Sequence, residues 1–324
     1  GAGLIKIRGD PCWTALTCLE FHYETQPVPN PLSPFLHAMP AWFHAAGVAF
    51  NHFVELYVPW FLFAPRRLRH AAGAFQAVFQ VVLIVSGNLS FLNWHTLAIC
   101  IPCFDDRALG RLLPVSVRDR LQKDTESVRA GIVRQAITAC LVVMVAVLSF
   151  NPVKNMLSPG QIMNTSFDRF HLVNTYGAFG SVGRVRNEVT VEGTDALEPG
   201  PGAEWREYGF QVKPGDPARM PPWISPYHFR LDWQIWFAAM SDYPAQPWLV
   251  HLALKLLEGD AGALSLLRVN PFPGRPPRWI RMTLHEYRYS KPGEQGWWKR
   301  RVVRPYLPPV NRDNLSLSNF LRAN

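Results

Sequence analysis

The sequence predicts an α-helical multi-pass membrane domain followed by a soluble, mixed α+β domain built on an antiparallel sheet. Three observations carry this prediction. Between Ala136 and Phe150 the chain has no charged residue, as a membrane crossing requires. Mean hydropathy is near zero, yet the apolar residues crowd into the first half, so a membrane half and a water half average out. After Phe167 the pattern changes to short alternating runs separated by Gly and Pro, the signature of half-buried strands.

Taken in order, Gly1 lies inside the apolar run GAGLIKI with no initiator Met, which reads as a fragment or processed chain with further spans upstream. Residues 1–40 are expected to form an outer or lumenal loop, because 9–37 are rich in turn formers and too polar to cross a bilayer. Cys12 and Cys18 in this loop face an oxidising compartment on this topology, where a short disulfide forms; two separate buried thiols are the alternative. Residues 41–150 are expected to be the membrane part. Trp42 to Phe63 matches one crossing, and Arg66, Arg67 and Arg69 mark its cytoplasmic end. Ala71 to Phe104 is too long for one crossing and reads as a helical hairpin, or a span plus a re-entrant piece, with its break near Gly87 and Asn88. A cytoplasmic connector at 105–131 follows, basic through Arg107, Arg111, Arg118, Arg120, Lys123 and Arg129. Ile132 to Phe150 is the last crossing and carries 151–324 to the same side as the residues before Pro40.

In that outer domain, FHLVNTYGAF, GRVRNEVTVEG, WREYGFQVK, WIRMTLHEYRYS and WWKRRVVRPYL read as strands. FRLDWQIWFAAM and PWLVHLALKLLEG are helical in period, the latter capped by Gly259.

Function is narrowed first by exclusion. The formal charge of +9 is scattered among Trp, Pro and acidic residues, with no basic helix, zinc finger or RNA-binding motif, so no nucleic-acid partner is expected. No nucleophile elbow, phosphate loop, dinucleotide fingerprint or HExxH is present, and no cofactor is expected. Cys100 and Cys103 have thiol-oxidoreductase spacing but sit at an apolar helix end, a poor place for a reactive thiolate. His44, Asn51, His52 and Glu55 recur at helical spacing on one face. Either they line a polar pocket for a ligand or proton transfer, or they hydrogen-bond between helices. A metal at His52 and Glu55 lacks further ligands to complete a shell. If Glu55 merely belongs to a packing seam, Glu55→Gln removes a costly charge and is expected to be tolerated. Asn88, Asn164 and Asn314 begin glycosylation sequons.

Five stretches, taken together, carry a resemblance. They are GDPCWTALTCLEFHYETQPVPNPLSPFLH, SGNLSFLNWHTLAI with Asp105 and Asp106, TYGAFGSVGRVRNEVTVEGT, WREYGFQVKPGDPARMPPWISPYHFRLDWQIWFAAM, and the closing RVNPFPGRPPRWIRMTLHEYRYS with WWKRRVVRPYLPPV. In this order, and over nearly the whole chain, they resemble the lipase maturation factor family. The resemblance implies a multi-pass membrane protein, in animals resident in the endoplasmic reticulum, that helps secreted lipases of the lipoprotein lipase type reach their folded, active dimeric form. It also implies that the C-terminal region faces the lumen and engages the client. Two departures stand out: the chain begins inside the conserved part, without the family's N-terminal spans, and its preference for Arg over Lys points to a GC-rich, bacterial source. A bacterial member would sit in the plasma membrane.

The leading reading is therefore a membrane-bound folding or assembly factor, with client proteins and membrane lipid as partners, rather than an enzyme. Trp205, Tyr208, Trp223, Trp233, Trp236 and Phe237 are the expected client-binding residues, since large aromatics give contact area at little entropy cost; core packing is the competing role for each. A second reading rests on a likeness in layout to the vitamin K-dependent carboxylase superfamily and uses Glu55, His52 and His44 as the catalytic set of a membrane enzyme.

Overall fold

The computed structural model describes residues 1–111, 114–117, 131–291 and 293–313. Arg118, Arg120, Lys123 and Arg129 of the connector, and the sequon at Asn314, lie outside them. The chain divides into two compact units. One comprises Gly1–Leu19, Pro40–Val81 and His95–Val182, the other Glu20–Met39, Val82–Trp94 and Gly183–Asn324. By contacts, the segment 1–40 is divided after Leu19 and Met39, and 151–182 goes with the helical unit.

The N-terminal region carries the helices α1 (Ala2–Gly9), α2 (Cys18–Thr25), α3 (Ala41–His52), α4 (Arg66–Ser86), α5 (Leu92–Ile99), α6 (Ile132–Leu148) and α7 (Phe150–Leu157). By length and composition, α4 and the stretch Ile132–Leu157 are long and apolar enough to cross a membrane. Trp42 to Phe63 is not one regular helix. After His52 the backbone widens into a π-helical turn at Phe53–Tyr57 and then tightens into a 3-10 helix at Val58–Phe63. Pro59 supplies the reason, since it lacks an N–H and its ring crowds the carbonyl four residues earlier.

Arg66, Arg67 and Arg69 fall in the first turn of α4 rather than in a loop before it. Arg66 forms an ion pair with Asp105, Arg69 Nε donates to the Cys103 carbonyl at 3.3 Å, and the Asp105 N–H donates to His70 Nε2 at 3.3 Å. The chain that leaves along α4 therefore returns to the start of that helix at Cys103–Asp105. The hydrogen bond from Arg66, helped by the Ala108 N–H, holds the Asp105 carboxyl down at about 2. The helix α4 itself stops at Ser86. Gly87 lies so close to Gln26 that a Cβ there would stand 2.0 Å from its amide oxygen, so a side chain at this position would have to displace the Gln26 amide.

The second unit is built on a four-stranded antiparallel sheet of β1 (Arg186–Thr194), β2 (Arg206–Glu207), β5 (Trp279–Tyr289) and β6 (Trp298–Val310), in the order β2-β1-β5-β6. Two short strands, β3 (Gly209–Phe210) and β4 (Leu267–Val269), pair separately. The alternation of β1 explains its two faces. Val189 and Val191 lie opposite Leu284 and Met282 on the apolar face, in a core with α8 (Arg230–Ala238) and α9 (Pro247–Glu258). From α9 this core takes Leu249, Val250, Leu252, Ala253, Leu256 and Leu257, an i, i+3, i+4 stripe. The helix ends at Gly259, whose φ of 71° places it in the left-handed region that glycine tolerates.

Arg186, Glu188 and Thr190 line the opposite face and are buried rather than solvated. The strand expected within 170–179 is absent; that segment offers an isolated bridge, Ser166 to Asn174. The Asp168 carboxylate captures the N–H groups of Phe170, Leu172 and Val173, a local alternative to a ladder.

Candidate functional site

In the helical unit the polar face of α3 meets a partner that helical spacing did not suggest. Lys6 Nζ donates to Asn51 Oδ1 at 2.9 Å and to Glu55 Oε1 at 2.6 Å, while Asn51 Nδ2 donates to Glu55 Oε2 at 3.3 Å. Lys6 also sits 5.0 Å from the centre of the Trp13 ring, within cation–π range. His52 Nε2 hydrogen-bonds the Trp13 carbonyl at 2.9 Å, and its ring packs edge-on against Trp13. His44 is buried, and Gln76 donates to the Val54 carbonyl at 2.9 Å. Glu55 and His52 thus serve different partners, and the Glu55 carboxylate is already engaged by a cation and an amide. Lys6 and Glu55 form an ion pair within the helical unit.

The expectation that Glu55→Gln is tolerated must be reversed. Lys6 and Glu55 side chains are 8% and 16% exposed, so removing one charge strands the other in a poorly solvated place. Gln keeps an acceptor for Lys6, which limits the loss to about 2 kcal/mol, the scale of a charged hydrogen bond. A lowered thermal midpoint of Glu55→Gln in detergent, recovered in the double Lys6→Met, Glu55→Met variant, is the expected result; an unchanged midpoint in the single variant would disprove the pairing.

Asp10, Cys12 and Cys18 bring their ligand atoms within 4.8 Å of one another. The two sulfurs lie at disulfide-bonding distance with Cα atoms 4.8 Å apart, which leaves no thiolates for a metal. Asp10 instead caps the turn by accepting from the Cys12 N–H at 2.9 Å. Cys100, Cys103 and Cys140 are free.

In the sheet unit the expected aromatic set is scattered. Tyr208 is 1% exposed and belongs to the hydrophobic core, where it packs near Phe272, so it is removed from any client surface. Trp205 lies beneath the Arg281 guanidinium at 4.2 Å. Trp233 and Trp236 are partly buried and pack edge-on against each other. Trp236 Nε1 donates to the Thr25 carbonyl at 3.0 Å. Their replacement by Ala would act through folding. Trp223 and Phe237 are 47% and 53% exposed.

The most highly built polar site of this unit escaped sequence reasoning. Arg186 Nη1 donates to the carbonyls of Glu24 and Gln26 at 2.8 and 2.5 Å, and Nη2 to the Pro27 carbonyl at 3.0 Å and the Glu188 carboxylate Oε1 at 2.5 Å. Lys213 Nζ completes Glu188 at 3.1 Å. All three side chains are 0–1% exposed. Beside them, Asp232 accepts from the Val212 and Lys213 N–H groups at 2.7 and 2.9 Å, yet burial still pushes its carboxyl above the usual range. The alternation in RVRNEVTVEG held the signal, because it places Arg186 and Glu188 on one face.

The comparisons with known proteins agree on one family. Residues 1–111 match the family model described as the Lipase maturation factor transmembrane domain, and residues 172–308 that of the Lipase maturation factor C-terminal domain. Lipase maturation factor 1 of Mus musculus is 52% identical over 97% of this chain and 58% of its own length; the Homo sapiens protein is 51% identical over 97% and 59%. Lipase maturation factor 2 of Mus musculus is 28% identical over 99% and 60%. The chain spans about three fifths of the length of these relatives. No solved structure matches. These vertebrate relatives lend no support to a bacterial source, nor the comparisons to a carboxylase relation. With two models of one family matched in order, and half the residues identical to a mammalian member along nearly the whole chain, the protein belongs to the lipase maturation factor family.

Proposed function

We propose that this chain is a multi-pass membrane folding factor of the endoplasmic reticulum that assists maturation of secreted lipases, with its sheet unit in the lumen. The 52% identity to Lipase maturation factor 1 along 97% of the chain carries this reading. A physical observation supports the membrane placement. None of the apolar window in Ile132–Leu157 is buried within the protein, and an apolar helix exposed on all sides needs hydrocarbon around it. An oxidising lumen suits the Cys12–Cys18 bond.

For client contact the geometry favours an edge over the aromatic set as a whole. The strand β6 stands at the edge of its sheet, with Lys299–Val303 exposed, and an open edge is a template for another extended chain. The Tyr306 hydroxyl ties β6 to the end of α8 through the Ala238 carbonyl at 2.8 Å. At that end of α8, Phe237 and Met240 are 53% and 62% exposed and serve as candidate apolar anchors.

In cells lacking their own maturation factor, expression of this protein should restore secretion of active lipase. The double Phe237→Asp, Met240→Asp variant should lower secreted activity several-fold at unchanged factor level, since exposed anchors contribute to binding but not to the core. Full rescue by the double variant would move the client site elsewhere, and no rescue by the parent chain would refute the function.

A further inference from the structure

A loop of the sheet unit is fixed to the end of α4. Asn88, two residues beyond the last residue of that helix, accepts the N–H groups of Ile224 and Ser225 at 3.1 and 3.2 Å and donates to the Pro222 carbonyl at 2.8 Å. Trp94 Nε1 donates to Ser225 Oγ at 2.9 Å. These bonds set the height of the loop at the point where α4 ends. At the loop tip Trp223 and Tyr227 are 47% and 67% exposed, and Phe91 and Trp94 beside the anchor are 56% and 44% exposed. No carboxylate occurs between Asp216 and Asp232, whereas Arg219, His228 and Arg230 do.

We propose that the loop 221–228 lies in the headgroup layer of the membrane that α4 crosses, with Trp223 and Tyr227 as its interfacial anchors. The chemistry commits to lipid as the occupant. Rings with an apolar body and a polar edge settle at the boundary between hydrocarbon and water. A stretch free of acids that ends at the exposed Arg230 suits anionic headgroups, and the anchor is continuous in sequence with a span. The role fits Trp223 better than client binding, because the same bonds that fix the loop hold it at the end of the span. This inference rests on the reading of α4 as a membrane span.

The test uses the full chain in vesicles of phosphatidylcholine and phosphatidylserine, with Cys100, Cys103 and Cys140 replaced by Ser. Spin labels are placed singly at Tyr227→Cys, Trp223→Cys, Val85→Cys and Arg275→Cys. Val85 and Arg275 are exposed on α4 and on the sheet unit respectively. Labels at 227, 223 and 85 should meet dissolved oxygen more readily than a water-soluble nickel chelate, and the label at 275 should show the reverse. A lipid-facing 85 with water-facing 227 and 223 would overturn the loop proposal while sparing the span. Water-facing labels at all four sites would overturn both. Labels at 227 and 223 that face water until a secreted lipase is added would assign the surface to the client and also overturn the proposal.

Discussion

Replacing Arg186 by Met should release residues 24–27 from the sheet and cost the protein roughly 3–5 kcal/mol, the loss seen when one member of a buried ion pair is removed. One guanidinium serves three carbonyls and Glu188 with no exposed surface. Its loss leaves those carbonyls without a donor and leaves Glu188 to Lys213 alone. Since a domain is stable by only about 5–15 kcal/mol, the variant should melt far earlier and be cut by protease within 24–30. The triple variant Arg186→Met, Glu188→Leu, Lys213→Met tells the two halves of this cost apart. It removes every buried charge, so it should regain stability relative to the single variant, but the carbonyls remain unpaired and the protease site should persist. A single variant that melts with the parent and resists cleavage would mean that the segment is held by something else.

Arg186 also marks where the sequence stops being readable. Local periodicity made the helices around Trp233 and Leu252 legible, and the β1 and β5 alternation assigned Val189, Val191, Met282 and Leu284 to a core face that the structure confirms. The same alternation implied a wet opposite face. That inference failed because burial there depends on residues 24–27, 159 to 162 positions away in the chain, and no local period encodes a long-range cover. The polar face of α3 repeats the lesson. Spacing set His44, Asn51, His52 and Glu55 on one face, of which Asn51 and Glu55 share a hydrogen bond, yet the cation that pairs with them is Lys6, a single charge in an apolar run some 45 residues earlier. The burial of Tyr208 was illegible for the converse reason. An aromatic residue in a Pro- and Gly-rich stretch looks like surface until β2 and β3 turn it inward, where it is 1% exposed.

Asn88→Ala is expected to cost about 2–4 kcal/mol, because a fully buried amide is using all its hydrogen-bonding capacity on backbone. Its two N–H groups meet the carbonyls of Pro29 and Pro222, and its oxygen accepts from Ile224 and Ser225. Leaving buried backbone donors unpaired costs about 1–3 kcal/mol each, partly relieved where water reaches the loop. Asn88→Asp is the sharper variant. It preserves the shape and the two accepted bonds but turns an oxygen toward two carbonyls, so at neutral pH it should be at least as unstable as Ala. If shape alone mattered, Asp would match the parent, and thermal unfolding of the three proteins separates these outcomes. The same bonds decide the sequon Asn88-Leu89-Ser90. A glycan would take one of the two amide hydrogens and needs space that a residue with no exposed surface does not have. Protein isolated from a glycosylating cell should therefore show no mass loss at the Asn88 peptide after glycosidase treatment, and a glycan found there in folded protein would refute the buried amide as the fixture of this loop.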